Sequence, residues 1–155
     1  MISVAHYERF CLPYVRTMVD EIHRAGLKAI VIYFGAVMDR LDQIASLGAD
    51  GLSVECSMKG YVNDIDTIAR RIGDQVSLFA NIDPVGVIEQ GSDTSLEREI
   101  ERQVRAGRQA SGFLVSPASP ITPATRLERV RRFIAVARDL GGPSSDPVRS
   151  GFDVG

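Results

Sequence analysis

The stretch VSLFANIDP at residues 76–84 decides how this sequence folds. Its apolar run is typical of a strand buried on both faces of a parallel sheet. The run ends at Asn81, Asp83 and Pro84, and proline cannot donate to a strand ladder. In α/β barrels, the side chains that meet the ligand lie at the carboxyl ends of strands. Asn81 and Asp83 are therefore candidate ligand-binding residues, with capping of the next turn as the alternative interpretation.

The composition is that of an ordinary globular domain. A chain of 155 residues suits one domain that buries about two thirds of its extended surface. The formal net charge is −2, and charges of both signs alternate over residues 97–108, which does not favour a nucleic-acid partner. Cys11 and Cys56 form no CxxC pair, which indicates free thiols in a reduced, cytoplasmic chain. We expect no signal sequence at residues 1–9 and no membrane span.

Apolar runs alternate with amphipathic segments, which predicts the order α(βα)4 and a parallel sheet with right-handed crossovers. Residues 1–141 form the predicted folded unit, and residues 142–155, rich in Gly, Pro and Ser, are predicted to be a disordered tail. The predicted strands are 28–34, 51–55, 76–80 and 112–116, and the predicted helices are 7–24, 37–47, 63–72, 95–106 and 126–140.

Two architectures accept four such units: a small open doubly wound sheet, or half of an eight-stranded (βα)8 TIM-type barrel. The two outer strands, residues 28–34 and 112–116, contain no Pro and little charge after Lys28. Edge strands that face water normally carry such residues, which discourage pairing with other chains. The sequence therefore favours a half barrel, whose edges need neighbours.

The run NIDP at residues 81–84 resembles the Gly-Asn-x-Asp-Pro motif of the uroporphyrinogen decarboxylase (URO-D) superfamily, which includes the corrinoid, or methylcobalamin, methyltransferases. The resemblance runs over about residues 3–140 but covers only the carboxyl-terminal half of the family's barrel. Four further features follow the family's order: Phe10 with Pro13, LGAD at 47–50, Gly91 with Ser92, and PITPAT at 120–125.

The resemblance implies decarboxylation of tetrapyrrole (porphyrin) side chains at the barrel mouth, a carbon–carbon lyase reaction of porphyrin biosynthesis. This chemistry needs no cofactor, because the protonated pyrrole accepts the electron pair and requires only charge stabilisation. In the family's decarboxylases, most residues that bind the substrate's carboxylates and pyrrole nitrogens lie in the amino-terminal half. The resemblance thus leaves open whether the chain is an enzyme by itself.

A corrinoid-dependent methyltransferase is the second interpretation, with corrinoid as its cofactor. Zinc-dependent members carry His-x-Cys after the first strand of this half and Cys after the last. Ile32, Phe34 and Ser119 hold those places, and they are not zinc ligands, so no metal site is predicted. The His-Gly of the decarboxylases, near Ser119, is missing too, so the chain lacks the distinctive residues of both branches.

The predicted substrate-binding residues are Asn81, Asp83, Glu55, Tyr33 and Ser119, and no catalytic residue is assigned. Glu55 ends the second strand, where a carboxylate either faces the ligand or pairs with a cation. Tyr33 ends the first strand and either forms an aromatic floor with Phe34 or packs in the core. Ser119 either donates to a substrate carboxylate or satisfies its Pro-rich loop.

A third interpretation is that the chain is a non-catalytic half barrel, either a truncated product or a subunit. Its expected partners are a missing amino-terminal half or a second copy, together with a tetrapyrrole or corrinoid-linked small molecule. Half barrels have complementary edges, so two copies are able to close on each other.

Overall fold

The computed structural model of the protein describes residues 2–142, so nearly all of the predicted tail at 142–155 lies outside the described residues. Helices alternate with short strands, as the sequence predicts. The elements are α1 (Val4–Phe10), α2 (Leu12–Arg24), β1 (Ile30–Tyr33), α3 (Leu41–Ala45), β2 (Gly51–Val54), α4 (Ile65–Ile72), β3 (Ser77–Phe79), a π-helix (Pro84–Glu89), α5 (Asp93–Gly107), β4 (Phe113–Leu114) and α6 (Leu127–Gly141).

The four strands form one parallel sheet in the order β1-β2-β3-β4. A doubly wound sheet reverses its strand order at a switch point, and this sheet does not. Because right-handed crossovers between successive neighbours always return on the same side, the connecting helices lie on one face. The sheet is therefore half of a βα barrel, which confirms the predicted fold class.

Alternate side chains of each strand pack beneath the helices. Leu52, Val54 and Leu78 are buried in a cluster with residues of α3 and α4, and the partly buried Val31 and Phe113 pack against it. A second cluster joins residues of α5 and α6 to the end of β3. The core therefore lies between the helices and one face of the sheet.

The opposite face is open among residues 2–142. Ile30, Ile32 and Leu114 point to it and are 51%, 63% and 46% exposed, and Phe34, just after β1, is 62% exposed. Apolar side chains in these positions fill the centre of a closed barrel. This surface, which we call the open face, corresponds to the interior of a barrel of which residues 2–142 form half.

The predicted helix over residues 7–24 is in fact two helices that meet at Cys11. The Cys11 N–H donates to Tyr7 O and ends α1. Pro13 lies in the first turn of α2, where a missing N–H breaks no helical hydrogen bond. Proline here begins a helix instead of bending one.

Two other local predictions were wrong. The helix predicted for 37–47 is shortened to α3: Asn63 Oδ1 accepts from Val37 N–H, and Arg40 N–H donates to Val37 O in a turn that precedes the helix. The helix predicted to begin at residue 95 begins at Asp93 instead, because the hydroxyl of Ser92 accepts from Ser95 N and caps α5.

The amino ends of β1 and β2 are joined by the side chain of Asp50. Its carboxylate accepts hydrogen bonds from Lys28 Nζ at 2.7 Å and from Ala29 N at 2.8 Å, and its Oδ2 lies 2.7 Å from His23 Nε2. The Lys28 ammonium and then the Ala29 N–H hold the pKa of Asp50 well below its ordinary value. Both oxygens of the Asp50 carboxylate are therefore engaged.

No helix within residues 2–142 combines the length and the apolarity that crossing a bilayer requires.

Candidate functional site

A cavity of about 270 Å³ lies at the carboxyl ends of β2 and β3. Its walls are mainly polar and come from the segments that follow these strands and from the inner side of α5. The lining residues are Cys56, Ser57, Asn63, Asp64, Asn81, Asp83, Val87, Glu99, Arg102 and Gln103.

Asn63, which is 2% exposed, ties three strand ends together. Its Nδ2 donates to Gly35 O at 2.9 Å and to Glu55 O at 3.0 Å, at the ends of β1 and β2. Its Oδ1 accepts from Val37 N, and its own carbonyl accepts from the side chain of Asn81 after β3. A single buried amide therefore sets the relative positions of these three loops.

Asn81 occupies a place where the strand ladder stops. At the start of β3, the Ser77 N–H donates to Asp50 O, just before β2. At its end, the Asn81 N–H donates instead to Gln103 Oε1 of α5 at 2.9 Å. The Asn81 Nδ2 spans the gap instead and donates to Asn63 O at 2.8 Å and to Glu55 O at 3.2 Å. At the carboxyl ends of β2 and β3, side-chain hydrogen bonds thus replace backbone pairing. This replacement leaves room for the cavity.

A charged network on α5 supports Gln103 from behind. Gln103 Nε2 donates to Glu99 Oε1 at 2.7 Å, and Arg102 donates to both oxygens of Glu99 at 2.8 Å. Burial by itself raises the pKa of Glu99, but the bonds from Arg102 and Gln103 outweigh it and lower that pKa. Arg102 also lies 3.4 Å from Asp64, so its charge is already shared by two carboxylates.

Glu55 adjoins the cavity through its main chain and points its carboxylate toward β1. Its Oε2 accepts from Gly35 N at 2.9 Å and from the Tyr61 hydroxyl at 2.5 Å. Burial and this bond to a carboxylate raise the pKa of Tyr61 to about 12, so Tyr61 remains a donor over the physiological range. The other carboxylate oxygen, Oε1, receives no hydrogen bond within residues 2–142.

Asp83 acts as a cap and keeps one oxygen available. Its Oδ1 accepts from Val85 N and Gly86 N at 2.9 and 3.0 Å and so begins the π-helix. A Cβ on Gly86 would lie 2.6 Å from Oδ2, so only glycine leaves the carboxylate in this place. In the described part of the chain, no donor reaches Oδ2 of Asp83 or Oδ1 of Asn81.

Cys56 lies in the cavity wall and is 8% exposed. Burial, with the nearby charges of Asp83 and Glu55, raises the pKa of its thiol. The thiol therefore stays protonated, and Cys56 behaves as a small apolar side chain and not as a nucleophile.

The structure brings Asn81, Asp83 and Glu55 together, but it does not bring Tyr33 or Ser119 to the cavity wall. The Tyr33 ring packs under the helices, 5.8 Å from the Tyr7 ring and 5.8 Å from the Arg40 guanidinium. Ser119 follows β4 and is half-buried, and its hydroxyl makes no hydrogen bond within the described residues. The neighbouring Ser116 hydroxyl donates to a backbone carbonyl of β3, Ala80 O.

Sequence reasoning missed Asn63 and Gln103, the two buried amides that hold the site. Gln103 falls in register with Leu96, Ile100 and Ala106 on the buried side of α5, and a polar residue among apolar ones was the available indication. Asn63 offered less, because an Asn just before a helix is usually interpreted as a cap.

Comparison with known proteins identifies the family of this chain. The sequence profile of the family described as Uroporphyrinogen decarboxylase (URO-D) matches residues 1–140. The chain belongs to the uroporphyrinogen decarboxylase family. A uroporphyrinogen decarboxylase of Pseudomonas fluorescens is 30% identical over 144 residues, which are 90% of this chain and 38% of that protein. One from Hahella chejuensis is 28% identical over 145 residues, or 92% of this chain and 39% of that protein.

A solved structure matches a similar share of this chain. A methyltransferase from Methanosarcina mazei superposes with a TM-score of 0.76 at 19% identity, over 91% of this chain and 39% of the other. This likeness concerns the fold alone. The chain spans about two fifths of the length of the relatives that it matches, which agrees with a partial barrel.

Proposed function

We propose that this chain forms the carboxyl-terminal part of a barrel mouth that binds a uroporphyrinogen-type tetrapyrrole and takes part in decarboxylating its side chains. The observation that carries this proposal is the group of unengaged acceptors at the strand ends: Oδ2 of Asp83, Oδ1 of Asn81 and Oε1 of Glu55. The names of the similar proteins supply the substrate class.

The acceptors match one part of such a substrate. The pyrrole rings of a porphyrinogen present N–H donors, and a carboxylate that accepts from them also stabilises the positive charge of a protonated ring. Asp83 and Glu55 have the right chemistry for this role. When the ring is protonated, the bond from the side-chain methylene to the carboxylate breaks, carbon dioxide leaves, and the electron pair moves into the ring. A proton then adds to the methylene carbon, and the ring releases the proton that it had gained.

The carboxylate side chains of the substrate need cations that this mouth does not offer. Arg102 is the cation in the cavity wall, and Glu99 and Asp64 already hold it. We therefore propose that the other half of the barrel supplies the cations. Activity is then expected only when that half is present.

Methyl transfer to a thiol is not supported by the side chains on the open face. Ile32 and Phe34 offer hydrocarbon where a thiol-activating zinc site needs imidazole or thiolate. Methyl transfer from a corrinoid to a thiol is therefore not part of the proposal.

The test supplies uroporphyrinogen under reducing conditions to this chain with and without the amino-terminal half of the Pseudomonas fluorescens enzyme. Products are oxidised to porphyrins and separated by their number of carboxyl groups, and binding to the chain alone is measured by equilibrium dialysis. We expect binding by the chain and loss of carboxyl groups in the mixture. Absence of both would refute the proposal.

Asp83→Asn is the decisive variant, because asparagine caps a helix about as well as aspartate but lacks the charge. We expect turnover to fall at least about tenfold, the equivalent of about 1.4 kcal/mol in the barrier. The matched control is Asp74→Asn, an exposed aspartate in the loop before β3, which should leave turnover unchanged. Equal turnover by the two variants would remove Asp83 from the site.

A further inference from the structure

We propose that two copies of this chain close on each other into one eight-stranded parallel barrel, related by a twofold axis along the centre of the barrel. The proposal rests on the open face and the strand edges, and it needs no assumption about the substrate.

The first argument is the composition of the open face. β1 contributes the large side chains Ile30 and Ile32, whereas β2 contributes Gly51 and Ser53 at the same levels. A Cβ on Gly51 would lie 3.1 Å from the ring of Phe79 and 3.3 Å from Ile30, so large neighbours already fill the space above β2. Alternation of large and small residues between neighbouring strands is how the interior of an eight-stranded barrel is filled.

The second argument is the edge of β1. Gly51 N–H donates to Ala29 O, and Glu55 N–H donates to Tyr33 O, so alternate residues of β1 face β2. In a parallel ladder the intervening residues then point their N–H and C=O groups the other way. The backbone groups of Ile30 and Ile32 therefore lie along an edge that no strand covers within residues 2–142.

The third argument is the edge of β4 on the far side of the sheet. Leu78 N–H donates to Gly112 O, and Ala80 N–H donates to Leu114 O, so these two residues of the β4 segment face β3. By the same alternation, the backbone groups of Phe113 and Val115 point away from the sheet. Neither β1 nor residues 112–116 contain a proline or an inward charge of the kind that blocks pairing, and the first proline on the β4 edge is Pro117 at its end.

The two edges complement each other under a twofold rotation. All four strands run in the same direction, so β4 of one copy and β1 of the other meet as parallel neighbours. The same rotation forms the second junction, and the order becomes β1-β2-β3-β4 twice around a closed ring. Such an assembly has closed symmetry, leaves no strand edge exposed and buries the open faces of both copies against each other.

Closure also brings two half sites to one opening. Both copies direct the carboxyl ends of their strands to the same end of the barrel, so two sets of Glu55, Asn81 and Asp83 would surround one opening. The half site described above becomes a twofold-symmetric ring of acceptors.

The experiment measures the mass of the 155-residue chain in solution by light scattering across a dilution series. We expect a species of twice the 16.9 kDa chain mass that dissociates on dilution. Ile32→Glu places a charge on the open face and should weaken association at least about a hundredfold, and Leu114→Glu should do the same from the other edge. Circular dichroism checks that each variant retains its helices.

Met18→Glu is the matched control, because Met18 is 62% exposed on α2 and Ile32 is 63% exposed on the open face. It should leave the dimer intact. A monomeric wild-type chain, an open-ended polymer, or a dimer that only Met18→Glu dissociates would each overturn the proposal. None of these readouts uses uroporphyrinogen, so failure of the proposed function leaves this test unaffected.

Discussion

The two ends of the parallel sheet are built in opposite ways. At the amino ends, Asp50 joins β1 to β2 with a carboxylate whose hydrogen bonds all go to the chain itself. At the carboxyl ends, Asn63 and Asn81 join the strands by amides, while Asp83 and Glu55 each keep one oxygen unengaged. Both ends are cross-linked, but only the carboxyl end has capacity left for a ligand.

The difference shows how a barrel separates stability from chemistry. Stabilising the mouth by buried amides allows the carboxylates to remain available, since an amide satisfies backbone groups without introducing a charge. The following four predictions test this division, beginning with the largest expected effect on stability.

Asn63→Ala should lower the free energy of unfolding by about 3–5 kcal/mol. It leaves Val37 N–H and Gly35 O without their partner and Glu55 O with only the longer bond from Asn81, and an unsatisfied buried group costs about 1–3 kcal/mol. Urea unfolding measures the change, with the exposed Gln75→Ala as the control. A loss of unfolding free energy no larger than that of the control would mean that the Asn63 side chain is not needed for stability.

Asn81→Ala should cost about 2–3 kcal/mol, because it removes two hydrogen bonds to the carbonyls of Glu55 and Asn63 but keeps the backbone bond to Gln103. The same unfolding measurement applies, with Gln90→Ala as an exposed control. If Asn81→Ala is as stable as the wild type, backbone pairing between β2 and β3 re-forms without the side chain.

Asp50→Asn should cost about 1.5 kcal/mol at pH 7, since it removes the charge-assisted part of three partly exposed contacts. The native pKa of Asp50 is lowered, so its contribution is complete above the unfolded pKa of about 3.9. It is lost as the pH falls through the lower native pKa.

Unfolding of this variant and the wild type is compared from pH 7 down to pH 2. The difference should shrink over the acidic part of that range. A difference that stays constant with pH would show that packing, and not charge, explains the effect of Asp50.

Asp83→Asn should change the free energy of unfolding by less than about 0.5 kcal/mol, because asparagine retains the cap on Val85 and Gly86. Thermal unfolding followed by circular dichroism is sufficient to check this. A loss above about 1.5 kcal/mol would mean that Oδ2 has a structural role, and the contrast between the two sheet ends would disappear.

Much of the fold could be predicted from the local sequence. The strand–helix alternation, the parallel order and the uncovered edges follow from apolar runs such as residues 28–34 and from the absence of proline in them. The π-helix at Pro84–Glu89 and the late start of the helix predicted at 37–47 did not, because each depends on a side chain from a distant segment or on the geometry of a single cap.

The candidate site could be predicted only in part from the sequence. Asn81, Asp83 and Glu55 were predicted from their place at strand ends, and the structure brings them together. Tyr33 was predicted on the same ground, but its ring packs beneath the helices, since side chains alternate between the faces of a strand. Periodicity alone does not state which face is the barrel interior.

The sequence by itself determined the repeating strand–helix unit and the positions where polar side chains meet strand ends, because both depend on residues adjacent along the chain. Only the tertiary structure decided that Asn63 and Gln103 hold those side chains in place. The bonds between Asn63 and Gly35, Asn81 and Gln103, and Asn63 and Asn81 join residues 18 to 28 positions apart. Hydrogen bonds over that separation exist only once the sheet has formed.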